Sequence, residues 1–326
     1  MQRVARILTE GGHSPPAWLC ALGQTDWRVE KEMLLENAQV AQKMPVIIPS
    51  CNPWNLGACL TAIKVAKEHE RPFVIVNSCA NFDAMYAVIR DAGFQNIIML
   101  EYGERRFNFS RAINVGLDIC QDMADGVFLL NDDAQLVTPY GFTKMEVMSA
   151  ARGHNAILSA RIQGVAAGAS QTAGPHTRVA QGLLAEPFFL AFICVLIGGT
   201  VLTRAGRLDE DFTGYGQEDV EYSMRARQYG GELLTYIHTL VRHDGSIPST
   251  YRTRKDIEEL AGESKRVMMR KMGTPKWSTH PMAFAPRGLC PRCGQAGELR
   301  DAGLWCPDCR QCWPIEKEAD ADNYPD

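Results

Sequence analysis

The feature that most limits how this chain can fold is the rhythm of its first half. Four short apolar runs, at residues 46–48, 73–76, 97–100 and 126–130, alternate with longer stretches at 56–69, 83–92 and 110–121 that mix apolar and polar residues at helical spacing. The runs are continuous rather than alternating, the pattern of strands covered on both faces. Strand and helix in repeated succession predict β-α-β units, a parallel sheet, and helices on both sides of it. After Pro139 the rhythm loosens. Residues 188–202 are apolar and predict one or two core strands; 218–229 predict a helix closed by Gly230-Gly231, 233–237 a strand, and 256–272 a charged helix.

Composition narrows the function classes. Of 326 residues, 46% are apolar and 22% charged, and the net charge is −4, so no global basicity draws the chain to nucleic acid or an anionic membrane. The longest purely apolar stretch, 188–197, has ten residues, against the ~20 that a membrane span needs. The first residues lack the apolar centre of a secretory signal, and a cytoplasmic location is expected. Eleven cysteines in a chain of this length do not read as a disulfide scaffold; a reducing compartment and metal-binding thiols are expected instead.

The organisation divides as follows. Residues 1–44 read as an N-terminal helical extension, with Thr25-Asp26 capping a helix. Residues 45–250 carry the α/β pattern, 251–288 a helix and a linker holding Pro275, Pro281 and Pro286, 289–314 a cysteine-rich module, and 315–326 an acidic tail. Within the second unit, 164–175 is rich in Gly, Ala, Ser and Thr. It reads as a mobile loop, a lid over a site or equally a surface insertion.

Three motifs carry chemistry. Asn131-Asp132-Asp133 follows the fourth apolar run. Acids at the end of a parallel strand face the ligand crevice and suit a hard divalent cation holding a diphosphate, although turn preference alone accounts for such a triplet as readily. Gly214-Tyr215-Gly216-Gln217-Glu218-Asp219 opens a helix. An acid there can act as general base toward a hydroxyl, or simply cap the helix. His243 follows a strand and can ligate a metal through a neutral ring nitrogen, or sit on a surface loop.

The order and spacing of three blocks is more specific than any one of them. Residues 46–63 (VIIPSCNPWNLGACLTAI), 108–139 (from NFSRAINVGLDI to LLNDDAQLVTP) and 197–246 (from IGGTVLTRAGRLDEDFTGYGQEDV to VRHDGS) resemble the inverting family 2 glycosyltransferases. That resemblance implies a GT-A nucleotide-diphospho-sugar transferase fold: a Rossmann-like mixed sheet with helices on both faces. It implies that Pro49, Ser50 and Asn52 hold the nucleotide and that Asn77 stands where an acid usually contacts the base. Asn108, Arg111 and Asn114 would line nucleotide and sugar. Asn131, Asp133 and His243 would bind Mn2+ or Mg2+, with Asp132 beside them. Asp219 would be the catalytic base and Glu218 its neighbour on the acceptor side. The implied donor is a nucleotide-sugar, by default a UDP-sugar. The acceptor is a glycan, a protein, or a hydroxylated DNA base such as a phage hydroxymethylpyrimidine. A non-catalytic module binding a nucleotide-sugar or a partner is the competing class. A nucleotidyltransferase is disfavoured, because no basic, Gly-rich phosphate loop follows the first strand.

The tail carries a separate signal. Cys290-x-x-Cys293 and Cys306-x-x-Cys309 make two knuckles with the spacing of a tetrahedral structural zinc site, a zinc ribbon; a redox C-x-x-C is the weaker alternative, and Cys312 is a spare. Residues 252–312 hold twelve Lys plus Arg against seven Asp plus Glu, a local +5 that allows a nucleic-acid contact without demanding one. Trp277, Trp305 and Trp313 could stack on bases or fill a small core.

Overall fold

The computed structural model describes residues 5–8, 43–78, 82–101, 107–120, 125–164, 170–172, 182–243, 256–272, 298–300, 303–306 and 311–313. Its centre is a ten-stranded mixed sheet. The parallel half contains β2 (Val46–Ser50), β3 (Phe73–Asn77), β4 (Ile97–Glu101) and β5 (Gly126–Leu130). β2 lies between β3 and β5, and β4 lies outside β3. Helices α1 (Pro53–Val65), α2 (Phe82–Ala92) and α3 (Phe109–Cys120) make the crossovers. Residues of β2 alternate between two core layers, Val46 and Ile48 in one and Ile47 in the other. Both faces are therefore covered, as the continuous apolar runs require.

Beyond β5 the sheet turns mixed. β9 (Cys194–Gly198) runs antiparallel between β5 and β7 (Ala156–Gly164), and β10 (Glu232–His243) returns parallel to β7. The short strands β6 (Gln135–Leu136) and β8 (Leu183–Ala185) both pair with β10. Helices α4 (Gly141–Ala150), α5 (Gly199–Ala205), α6 (Glu218–Gln228) and α7 (Ile257–Met272) complete the seven among the described residues. α6 has Glu218, Asp219 and Glu221 in its first turn and Arg225 and Arg227 in its last, charges that oppose the helix dipole at each end.

Several expectations change. Residues 5–8, expected within a helical extension, form strand β1 (Ala5–Leu8), antiparallel to β4 at the sheet edge; the helix expected after Thr25-Asp26 lies outside the described residues. The apolar stretch 188–202 yields one strand, β9, and then helix α5, because Gly198-Gly199 breaks the strand. Of the expected loop 164–175, residues 165–169 and 173–175 lie outside the described residues, while 170–172 are described. Gln171 is fully buried; its side-chain amide donates to Ser159 Oγ at 2.7 Å and to the Ala191 carbonyl at 2.9 Å, and its Oε1 accepts from the Ala191 N–H.

The edge of the sheet away from the strand C-termini is held by a buried ionic node. Arg71, fully buried, bonds Glu68 Oε2 at 2.7 Å, Glu146 Oε1 at 2.7 Å and the Met44 carbonyl at 2.9 Å. Its guanidinium also lies 5.4 and 5.2 Å from the Phe128 and Phe142 ring centres. Among the described residues Cys59, Cys120 and Cys194 are buried thiols outside any disulfide. At the C-terminus β11 (Glu298–Arg300), β12 (Gly303–Cys306) and β13 (Gln311–Trp313) form a three-stranded antiparallel sheet. Cys306 ends β12; Cys290, Cys293 and Cys309 lie outside the described residues.

Candidate active site

The chain leaves β2 toward β3 on one side and reaches β5 on the other, so a crevice opens beyond the C-terminal ends of β2 and β5. Ser50 ends β2, and Asn131-Asp132-Asp133 follows β5. The turn is fixed by its backbone: Ala134 N–H donates to the Asn131 carbonyl at 3.1 Å, and Asn131 N–H to the Ile193 carbonyl at 2.9 Å. Ser50 Oγ donates to Asp132 Oδ2 at 2.6 Å, and Asn55 bonds the same carboxylate. Burial raises Asp132 to about 7, and the neighbouring Asp133 charge adds to the rise. Asp133 turns the other way. Its Oδ1 lies 3.2 Å from His243 Nε2 at the end of β10, and both residues are 6% exposed.

The second acidic pair opens α6. The backbone enters through two left-handed residues, Gly216 at φ +75° and Gln217 at φ +82°. Glycine takes that conformation freely and glutamine only under strain. Asp219 Oδ1 accepts the Val220 N–H at 2.8 Å, and the carboxylate also bonds the Phe192 N–H. Burial raises both Glu218 and Asp219, and repulsion between the two adjacent carboxylates raises Glu218 further. Phe192 and Ile193 are consecutive in the segment entering β9. One holds Asp219 and the other holds the Asn131 turn. The two acidic motifs, with His243, therefore belong to one end of the sheet.

Helix α7, expected as a charged helix beyond the α/β unit, braces this loop. Tyr215 N–H donates to the Leu260 carbonyl at 3.1 Å, and Lys271 Nζ reaches Asp209 at 2.5 Å and Asp211 at 2.7 Å. Met268 packs with Phe212 and Val220. Gly214 passes so close that a Cβ there would lie 2.0 Å from the Leu260 carbonyl oxygen.

The remaining expected residues divide between crevice and scaffold. Pro49 and Ser50 complete β2, and Asn77 is fully buried at the end of β3, in register with Ser50. Asn52 caps α1, its side chain accepting the Trp54 and Asn55 N–H groups at 3.0 and 3.4 Å. Asn114, expected to line the nucleotide, bonds the turn at Leu208: Nδ2 donates to the Leu208 carbonyl at 2.8 Å and Oδ1 accepts the Leu208 N–H at 3.0 Å. Asn108 Nδ2 donates to the Glu210 carbonyl at 2.9 Å, and Arg111 lies 3.8 Å from the Glu210 carboxylate. Through these bonds the Asn108 and Asn114 amides tie α3 to the 208–210 turn. Sequence reasoning missed Asn55, Glu210 and Gln217. Only Gln217 left a signal, as the one residue between Gly216 and the acid pair.

The donor set at Asp133 and His243, one carboxylate oxygen facing one imidazole nitrogen, fits a divalent ion that accepts both. Mn2+ suits that mixed pair better than Mg2+, which favours oxygen alone. Among the described residues no cluster of three or more His, Cys, Asp or Glu could hold a metal. A cation here would need further ligands from elsewhere, such as a bound diphosphate and water.

No protein-family model and no curated protein matches the sequence. Solved structures do. GalNAc-T7, crystallised with UDP, GalNAc and Mn2+, aligns at 14% identity and a TM-score of 0.51, covering 69% of this chain and 48% of that one. TarS of S. aureus aligns at 14% identity and a TM-score of 0.49, covering 72% of this chain and 40% of that one. Its 1–349 fragment aligns at 14% identity and 0.47, covering 72% of each chain. The chain thus spans about half the length of GalNAc-T7. At such identity the likeness defines the fold alone, and the fold is that of the GT-A glycosyltransferases. Among the described residues no helix is long and apolar enough to cross a membrane.

Proposed function

We propose that this protein transfers a sugar, with inversion, from a nucleotide-diphospho-sugar to an acceptor hydroxyl, in the manner of family 2 glycosyltransferases. The observation that carries the reading is the contact of Asp133 with His243 at the sheet end where Asp219 is held by Phe192. UDP is the expected nucleotide, in keeping with the UDP and Mn2+ in the GalNAc-T7 structure. Asp133 and His243 hold the cation, with Asn131 at the rim of the turn. A bound divalent ion supplies charge neutralisation for the leaving diphosphate. Ser50 fixes Asp132 and so keeps the turn from rotating.

Asp219 takes the proton of the attacking hydroxyl. Its raised proton affinity suits that role, because a base is most effective when its pKa approaches the working pH. Backbone N–H bonds from Val220 and Phe192 fix the carboxylate's direction, so acceptor oxygen and base need little reorganisation. Glu218 stands on the acceptor side.

The same reading places a structural zinc on Cys290, Cys293, Cys306 and Cys309. Strands of three and four residues make too small a core to stand without a staple.

The experiment is a donor screen. Full-length protein with Mn2+ is incubated with UDP-, GDP- and CDP-sugars, and nucleoside diphosphate release is measured with and without acceptors. The reading expects release from one nucleotide class. Asp219→Asn should lower it by about 10²–10⁴-fold with donor binding retained. Unchanged release in that variant refutes the base assignment.

A further inference from the structure

We propose that Gln171, which lies outside all three motif blocks, is a positioning residue for the base: its side chain fixes the peptide between Ala191 and Phe192, and the far end of that peptide holds Asp219. The role rests on the glycosyl-transfer reading above. A trans peptide is a rigid plane whose carbonyl and N–H point in opposite directions and turn together, and this one is trans. Gln171 Nε2 donates to the Ala191 carbonyl at 2.9 Å. The Phe192 N–H, on the other edge of the same plane, bonds the Asp219 carboxylate. Any rotation that takes the carbonyl away from the glutamine swings the N–H away from the base. Gln171 also holds the preceding plane, since its Oε1 accepts the Ala191 N–H at 2.9 Å. One amide therefore governs both backbone groups of Ala191.

The next residue extends the effect to the other acidic motif. The Ala191 carbonyl also accepts the Ile193 N–H at 2.8 Å, a tight turn, and the Ile193 carbonyl accepts the Asn131 N–H at 2.9 Å. Ala191, Phe192 and Ile193 are all buried. The first receives the clamp, the second holds the base and the third holds the turn after β5. The clamp is itself anchored on the sheet. The Gln171 carbonyl accepts the Ile162 N–H of β7 at 2.6 Å, and Nε2 reaches Ser159 Oγ on the same strand at 2.7 Å. The neighbouring Ser170 N–H donates to Glu186 Oε2 at 3.0 Å, and Ser170 Oγ lies 2.7 Å from Thr235 Oγ1 on β10. Methionine or leucine would fill this buried volume without desolvating an amide or ordering so polar a chain. Packing alone does not call for glutamine; what the amide adds is direction.

Two measurements on the full chain test this. Gln171→Met keeps the length and removes the amide. Hydrogen exchange at the Ala191, Phe192 and Asn131 amides should quicken in it by about tenfold or more beyond any rise in β2 and β3. An equal rise in every strand is plain loss of stability and overturns the proposal. Should that variant not fold, Gln171→Asn, whose amide is one carbon too short to span both groups of Ala191, should give the same local rise. In the transfer assay Gln171→Met should lower kcat by about tenfold or more with the donor KM within about twofold. The acidic limb of kcat/KM should move up by about half a pH unit or more, because the Phe192 N–H favours the charged carboxylate and its loss raises Asp219 further. Glu218, the acid beside Asp219, is the same in both proteins and does not make the difference. A lower Tm with the limb in place would mean that Gln171 only packs, and refutes the positioning role. Failure of the transfer reading would show separately, as unchanged nucleoside diphosphate release by Asp219→Asn, and the exchange result would still decide whether Gln171 fixes the peptide.

Discussion

Removal of Arg71 should cost more stability than any other single side-chain change at the non-catalytic edge of the sheet. The guanidinium is fully buried and Glu68 is 1% exposed. Nε and Nη2 both bond Glu68 Oε2, at 3.1 and 2.7 Å. Nη1 ties the Met44 carbonyl and Glu146 at 2.9 and 2.7 Å, joining the entry of β2 to α4. In Arg71→Ala the carboxylate of Glu68 keeps only the Thr143 N–H and hydroxyl as partners, at 2.8 and 3.2 Å. Stripping one partner from a buried ion pair costs about 3–5 kcal/mol. For a domain of this size 1 kcal/mol moves Tm by about 2–4 °C, so a fall of roughly 6–20 °C is expected by calorimetry or thermal CD. Arg71→Ala/Glu68→Leu, which removes the stranded charge as well, should recover part of the loss, because a buried pair replaced by apolar groups is often neutral. UDP affinity measured well below Tm should not change, since the node and the crevice occupy opposite ends of the strands. A fall of Tm below about 2 °C, less than 1 kcal/mol, would refute the account of the node, and so would a double variant less stable than Arg71→Ala.

Asp133→Asn and His243→Gln should each raise the Mn2+ concentration for half-maximal donor binding by about tenfold or more, as loss of even a supporting metal contact does; calorimetric titration of UDP against Mn2+ reads it. The pH profile of kcat/KM should have an acidic limb above the ordinary carboxylate range. Asp219 must be deprotonated to act, and burial raises its pKa, so activity falls as pH drops through the raised value. Glu218 is raised further than Asp219 and so is already protonated where that limb falls; Glu218→Gln should therefore leave the limb in place, and a marked shift to lower pH would show that Glu218 carries a charge there. Gly214→Ala should lower kcat and cost about 1–3 kcal/mol, because its methyl meets the Leu260 carbonyl and pushes the Asp219 loop off α7; an active variant of unchanged Tm would show that the brace is not needed.

The parallel half of the sheet was legible because its strands are buried on both faces and so are apolar without interruption. Beyond β5 that signal fails for physical reasons. β7 ends in an exposed Gln163 and Gly164, and α4 buries only Gly141, Phe142, Met145 and Ser149; neither shows a clear period. β1 forms because the edge of β4 offers it a partner, and four residues alone cannot announce that. Asp133, Asp219 and His243 are proposed from motif order, and the fold brings their motifs to one sheet end. Asn108 and Asn114 bond the 208–210 turn, a contact that motif order does not announce. Amide side chains line ligand sites and clamp turns with the same atoms. Gln171 is a second case. In a stretch rich in small residues, one long amide is bonded to Ser159 and Ala191 in the core, and composition gives no sign of it.

The distribution of charge along the strands separates what holds the fold from what the site does. At the end where the chain enters β2 and β3, Arg71 is paired with Glu68 and Glu146, with Arg71 and Glu68 buried and Glu146 partly exposed. At the other end like charges are brought together. Asp132 stands beside Asp133 and Glu218 beside Asp219, and burial raises Asp132, Glu218 and Asp219 above their ordinary range. Each such pair is destabilising in the absence of a ligand. An arrangement that spends stability at one end and secures it at the other is expected of a binding site on a rigid scaffold. It follows that Asp132→Asn, which relieves repulsion at the metal turn, should raise Tm of the metal-free protein while weakening Mn2+-dependent UDP binding. A variant that lost stability instead would show the turn to be held by the carboxylate's bond to Ser50, and the acid pair to be structural.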